Sequence, residues 1–507
     1  MTEPTPVTTV DAEPGLVTDR LGGVRVEVDD SLRQRLHDVC AQVDEDDGSR
    51  TEAARDWWPL AIGWAVDGQV PARPGVVARP TDTGQVSAVL ALCHEAGIPV
   101  TAAGGRSGVC GASIPLFGGV ALDLCGLAGI GAVDDQSLVA DLRAGTFGPD
   151  VEAGLRGDHG LTLGHWPQSI DLSTVGGWLA CRGAGQYSNR YGKIEDMVTG
   201  LEVVLADGHV IRTGGHAPRS ATGPDLTQLF VGSEGTLGVI TEGRFRVHPV
   251  PVGEARRAFG FGTFADGLDA CRRILRRGAT PAVLRLYDQT ESGRSFDQPD
   301  TNVLIVLDEA DPGLVEATMA VVDDECRADP LDPGLVERWL GHRNDVSALA
   351  PLWRAGIVVD TVEVAARWAA LPGLYQAVLE ALGGVEGTLA ASSHQSHAYT
   401  DGACLYFTFA GRPPGDDGVD GGGDARREWT ARYYRRAWDE VTRATEAAGG
   451  AISHHHGIGL NRARFLPGAL DTGFGVLTAV KQALDPRGIL NPGKLGLATP
   501  FGEVPWP

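Results

Sequence analysis

A chain of 507 residues with 43% apolar side chains is too long for one ordinary core, so two or more domains are expected. Its formal charge of -23 repels nucleic acid and anionic membrane surfaces, which excludes both as main partners. The eight cysteines are scattered without a Cys-x-x-Cys pair and read as reduced core thiols, and no apolar run reaches the roughly 18 residues of a membrane-spanning helix.

Residues 1–20 are rich in Pro, Thr and acidic side chains and lack both the basic and the apolar stretches of a secretory signal. They are expected to form a disordered tail on a cytoplasmic protein, followed by a helical segment over 21–70. From Pro71 the pattern sharpens: Val76-Val77-Ala78 reads as a strand, and Thr83 as the cap of a helix that buries Val86, Val89, Leu90 and Cys93. Gly97 ends that helix, and a strand over 98–101 runs into Ala102-Ala103-Gly104-Gly105-Arg106-Ser107-Gly108. Further strands are expected over 120–124, 138–142, 201–205, 210–213 and 239–247, giving a mixed domain over 71–250. A second α+β domain is expected over 251–450, with elements at 265–276, 303–307, 312–326 and 368–382. Within it, 411–424 is acidic and glycine-rich and reads as a flexible loop, and a long helix over 426–448 stops at Gly449-Gly450.

The glycine-rich stretch after the strand suits a backbone nest for a diphosphate, but it is not the G-x-G-x-x-G of a Rossmann fold. Two later segments combine small residues with hydroxyls: one contains Gln168, Ser169, Ser173 and Thr174, the other Ser233-Glu234-Gly235-Thr236-Leu237-Gly238-Val239. Such segments let the backbone approach a large flat ligand while Ser and Thr bond its polar edges. In this order the three segments resemble the FAD-binding domain of the vanillyl-alcohol oxidase and para-cresol methylhydroxylase superfamily.

The resemblance implies an α+β fold: a two-subdomain FAD-binding domain, an α+β cap domain that holds substrate, and a C-terminal catalytic segment over 451–507 that returns to the FAD domain. It implies that residues 102–108 cradle the diphosphate, and that Gln168, Ser169, Ser173, Thr174, Cys181, Arg182, Gly183, Ala184 and residues 233–239 make further FAD contacts. The first loop has no His for covalent attachment, so FAD is expected to be non-covalent, with Cys110 the one alternative anchor considered. Arg106 stands where relatives carry glycine, which either adds a cation beside the diphosphate or demands a different turn.

In the second half, Ser453-His454-His455-His456-Gly457 is the loudest signal, with a metal-binding tract or surface histidines as its plainer readings. Three adjacent histidines cannot all face one site. The superfamily's hydroxy-acid dehydrogenases carry His at the positions of Tyr399 and Tyr406, and Glu at that of His455, as ligands of a divalent metal. All three are replaced here, so no metal is expected. The motifs present are similar instead to alkyldihydroxyacetonephosphate synthases, in which flavin N5 attacks the substrate carbon as a fatty acid leaves, without net redox. That resemblance implies Tyr406 as general acid/base with a lowered pKa, assistance from His455 within the 454–456 run, and Arg285 as an active-site cation.

The family's acyl-carboxylate arginine has no direct counterpart. Counting back from Val359 lands on Leu349, flanked by Arg343 and Arg354, and Arg354 is the expected substitute by proximity. The alternative to the synthase reading is an FAD-linked oxidase or dehydrogenase passing hydride from an alcohol or 2-hydroxy acid to N5. A homodimer acting on a small-molecule or lipid-like substrate is expected, with peripheral membrane contact left open.

Overall fold

The computed structural model describes residues 10–346, 349–413 and 423–506. Among them, three larger sheets organise the chain. The first is small: Val76–Ala78 and Val100–Ala103 both pair in parallel with Val120–Asp123, and the Val43–Asp44 strand closes one edge. Its strands are almost wholly buried, as continuous apolar runs between helices should be. The Thr83–Ala96 helix covers it with Val86, Val89, Leu90 and Cys93. The N-cap is Asp82, which accepts from the Gln85 amide, rather than Thr83, whose hydroxyl instead donates to Glu202. Gly97 ends the helix in the left-handed conformation, at φ +69°.

The second sheet has five antiparallel strands, with Val198–Val204 and Val239–Arg246 at its centre. The third has seven antiparallel strands, and one end of it is a set that the sequence reading did not resolve into strands: Gly402–Gly411 lies between Val358–Arg367 and Thr388–Ala398. The helix expected over 368–382 runs from Leu371 to Gly383, because the preceding strand extends to Arg367.

Two expectations about order change. Residues 10–20 are not a frayed tail: Thr18–Asp19 pairs in parallel with Gln69–Val70, and Val17 is buried against Ala54 and Val70. Of the loop expected over 411–424, residues 414–422 lie outside the described residues; Gly411 ends a strand, and the long helix begins at Gly423. The C-terminal segment returns to the first sheet. Val100 donates to the Ile489 carbonyl and accepts from the Asn491 amide, while Asn491 Nδ2 donates to the carbonyls of Ala112 and Glu234. No helix among the described residues is long and apolar enough to cross a membrane.

Candidate active site

A cavity of about 770 Å³ lies where the first two sheets meet the seven-stranded one, within the range of about 300–1,000 Å³ usual for cofactor and ligand sites. All seven residues of the 102–108 loop line it. The loop lies directly against the next segment: a Cβ on Gly104 would sit 2.1 Å from Thr174 Oγ1, and one on Gly105 would sit 2.0 Å from the Leu172 carbonyl. The second contact is with backbone, which has no easy way to yield. Gly105→Ala is therefore expected to force the two segments apart and to yield a protein that purifies with little flavin. Absorbance of the purified variant checks this, and full flavin occupancy would contradict it.

The same wall carries buried polar atoms without partners: Thr174 Oγ1, both ring nitrogens of His165, Asp56 Oδ2, and Nε and Nη2 of Arg106. Buried polar groups are costly unless bonded, so this set fits a polar ligand that reaches along the wall. Arg106 adopts the different turn that one sequence alternative required. Its backbone is left-handed at φ +54°, and Nη1 bonds Asp123 at 3.1 Å, leaving the other two nitrogens for an anion. This wall thus presents small backbone, hydroxyls and one oriented guanidinium.

His165 also sets an acid limit. Burial alone pushes its imidazole down to about 3 from the usual 6.5. The unfolded chain takes up this proton near pH 6.5 and the native chain only near pH 3. The resulting stability is therefore complete above pH 6.5 and is lost as pH falls through that window. At pH 5 the loss is about 2 kcal/mol. His165→Phe should narrow the drop in urea midpoint between about pH 7.5 and about pH 5, and an unchanged drop would refute the assignment.

At the opposite end, strand register assembles the chemistry. Tyr406 pairs directly with Glu363 on one neighbouring strand and His394 on the other. Its ring stacks on His394 with centroids 5.0 Å apart and meets His456 edge-on at 5.4 Å, while its hydroxyl accepts from Thr361 at 2.9 Å. His394 Nε2 accepts from Arg285 Nη2 at 2.8 Å, which leaves the proton on Nδ1 to donate to Glu291 at 2.8 Å. Arg285 is thereby fixed in place, and it also lies over the Trp339 ring.

The triple-histidine turn is held by two buried carboxylates. Glu363 Oε1 accepts from the amides of His454, His455 and His456 at 3.1, 3.2 and 2.9 Å, as well as from the Ser453 hydroxyl. Three successive amides aimed at one point form a nest for an anion, and here the chain supplies its own. Burial opposes charge on Glu363, but Arg462 and His456 outweigh it and hold the carboxyl well below its ordinary range. On the other side Glu234 accepts from the amides of Ile458 and Gly459. Tyr399, His454 and His455 form a chain of contacts, with Tyr399 Oη 2.9 Å from His454 Nε2 and the two histidine Nδ1 atoms 2.8 Å apart.

Comparison with known proteins gives the cofactor class. Residues 74–214 match the FAD binding domain family and residues 254–495 the C-terminal domain of FAD linked oxidases. An uncharacterized FAD-linked oxidoreductase, YgcU of Escherichia coli K12, is 30% identical over 442 residues, covering 83% of this chain and 89% of that protein.

The chain belongs to the FAD-linked oxidase family.

Alkyldihydroxyacetonephosphate synthase of Dictyostelium discoideum is 28% identical over 470 residues (84% of this chain, 74% of that protein), and glycolate oxidase subunit GlcD of Bacillus subtilis 29% over 456 residues (86% and 92%). A solved alkyldihydroxyacetonephosphate synthase shares the fold, with TM-score 0.76 at 24% identity over 97% of this chain and 89% of that one. So does p-cresol methylhydroxylase, at TM-score 0.71, 17% identity and coverage of 94% and 99%. The fold is that of the vanillyl-alcohol oxidase superfamily, and the protein is an FAD-dependent enzyme.

Of the FAD contacts read from sequence, Gln168, Ser169, Ser173, Thr174, Cys181, Gly183, Ala184, Glu234, Gly235, Gly238 and Val239 line the flavoenzyme's cavity. Arg182, Ser233, Thr236 and Leu237 do not; Arg182 faces outward beside Glu195, and the Glu234 carboxylate serves the C-terminal turn rather than a ligand. Tyr406, His455, His456 and Arg285 line the cavity, whereas His454 stands behind His455. Arg354 lies on the surface near Asp11, away from the cavity wall. Arg343 is on the wall, caged by the rings of Trp166, Tyr187 and Trp339 at 5.1–5.6 Å and donating to Tyr187 Oη.

The lowered Tyr406 pKa required by the sequence reading is also reversed. Burial pushes the phenol up, and Glu363 and Asp360 push it further, so it stays protonated at neutral pH. Glu363, His394 and Glu291 were missed, since no local pattern marks them.

Proposed function

We propose that this enzyme exchanges an acyl for an alkyl group on a dihydroxyacetone phosphate substrate without net redox, with FAD held non-covalently, a reading supported by its similarity to alkyldihydroxyacetonephosphate synthases. The observation that carries this reading is the protonated phenol of Tyr406 on the wall of a cavity that two arginines anchored by aromatic rings also line. When bound, the flavin supplies N5 as the reacting atom.

Arg285 and Arg343 suit the two anionic ends that such an exchange requires, a phosphate and a departing carboxylate. Tyr406 donates a hydrogen bond to the oxygen on which charge develops, and His455 passes protons through His454 to Tyr399. Non-covalent FAD is supported by Cys110, which is absent from the cavity wall, and by Cys181, which lines it but whose thiol burial keeps protonated. On this reading the enzyme belongs to ether-lipid formation.

A second reading, oxidation of an alcohol or 2-hydroxy acid, is favoured by one observation. With His455 Nδ1 donating to His454 and His454 Nε2 donating to Tyr399, His455 Nε2 is an acceptor for a substrate hydroxyl proton. Anaerobic mixing separates the two. Palmitoyl-dihydroxyacetone phosphate is expected to perturb the flavin spectrum and release fatty acid, with no oxygen consumed when the reaction is repeated in air, while glycolate and lactate leave the flavin oxidised. Rapid bleaching by either hydroxy acid would overturn the exchange reading.

A further inference from the structure

We propose that His397, Cys404, His454 and His455 form a binding site for a thiophilic divalent transition metal such as Zn²⁺. One ligand atom from each of these four residues lies within 4.8 Å of every other. This is not the set set aside from the sequence, which comprised Tyr399, Tyr406 and His455; His397 and Cys404 come from a different rung of the sheet.

Register brings that rung to the site. His397 and Cys404 are direct cross-strand partners, so their side chains emerge side by side on one face. His394 and His397 are three residues apart and would face opposite ways on a regular strand. The irregularity between Gln395 and His397 adds one residue and turns His397 to the face shared by His394, Tyr406 and Cys404. The neighbouring residue Ala365 bridges to Ala451, and this contact carries the histidine turn over the rung. The His397 ring lies 5.0 Å from that of His454 and 4.8 Å from that of His455.

A second observation points to a ligand. His397 is 5% exposed and its Nδ1 is taken by the Ser396 hydroxyl at 2.8 Å, which leaves Nε2 buried with no partner. A buried nitrogen of this kind costs free energy unless something accepts its lone pair or proton. Its nearest candidates are ligand atoms of its own class. Three imidazoles and one thiol match the donor types of closed tetrahedral zinc sites, with bonds of about 2.0–2.1 Å to nitrogen and about 2.3 Å to sulfur. Ser396 on the far ring nitrogen of His397 is the outer contact that such ligands usually have.

Binding would release the Cys404 thiol proton and replace the hydrogen bond between His454 and His455 by two metal bonds. With four protein donors there is no open position, so the metal takes His455 out of proton transfer rather than activating substrate. That inhibition rests on the role proposed above for His455; the binding does not.

The test uses the full-length, FAD-loaded protein, freed of metal and titrated with Co²⁺. One equivalent is expected to produce the intense red-region bands of tetrahedral cobalt, beyond flavin absorption. X-ray absorption of the Zn²⁺ form should show one sulfur and three nitrogen neighbours. Cys404→Ser and His397→Ala should each weaken binding by more than about 100-fold, exceeding what outer-shell changes cost, while the flavin spectrum reports that the fold persists. The proposal is overturned by weak octahedral cobalt bands, by a zinc shell without sulfur, or by undiminished binding in both variants. The wild-type sulfur shell decides the matter even where a variant fails to fold.

Discussion

Glu363→Ala is expected to inactivate the enzyme and to destabilise it by about 3–5 kcal/mol, the usual consequence of stripping one partner from a buried ion pair. Arg462 would be left fully buried with its charge uncompensated, stacked on Trp438 at 4.9 Å. The amides of His454, His455 and His456 would lose their shared acceptor in the same stroke. A turn released by even 1 Å costs about 100-fold in rate when it carries reacting groups. Urea unfolding and turnover measured on one preparation check both parts. Flavin should remain, because residues 102–108 and 168–174 do not depend on Glu363 for any hydrogen bond. A stable and active Glu363→Ala protein would show that the histidine turn is held by something else.

Tyr406→Phe should lower kcat by about 100- to 10,000-fold, the span that a positioned acid contributes, with FAD still bound. The ring's stacking on His394 survives the change, and only the hydroxyl is lost, together with its bond from Thr361. Because burial and the nearby carboxylates keep the phenol protonated, the wild-type rate should show no loss near neutral pH from Tyr406 ionisation. Loss of flavin from the variant, or an activity within a factor of about two of wild type, would remove Tyr406 from the chemistry.

Legibility was unequal along the chain, and for physical reasons. The glycine-rich loop could be read because a backbone so close to its neighbours that an added Cβ would come within 2.1 Å of Thr174 and 2.0 Å of Leu172 demands Gly104 and Gly105. Arg343 was harder, since a gap-free count along the chain brought Arg354 nearer. Only folding placed Arg343 among Trp166, Tyr187 and Trp339, which come from distant parts of the sequence. The Tyr406 proton was misjudged for a related reason, because burial and two carboxylates on a neighbouring strand act on it through space.

The amino-acid sequence by itself determined the cofactor class, through its resemblance to known flavoproteins, along with the order of the cavity-lining segments and the tyrosine and histidine motifs, because each is a short stretch legible without its neighbours in space. Tertiary structure alone decided which side chains act together. Glu363, Tyr406 and His394 become one row only when three antiparallel strands take a single register, and one extra residue before His397 decides which face it joins. Such pairings are set by the sheet's hydrogen bonds and by burial, and neither leaves a mark on the residues between them.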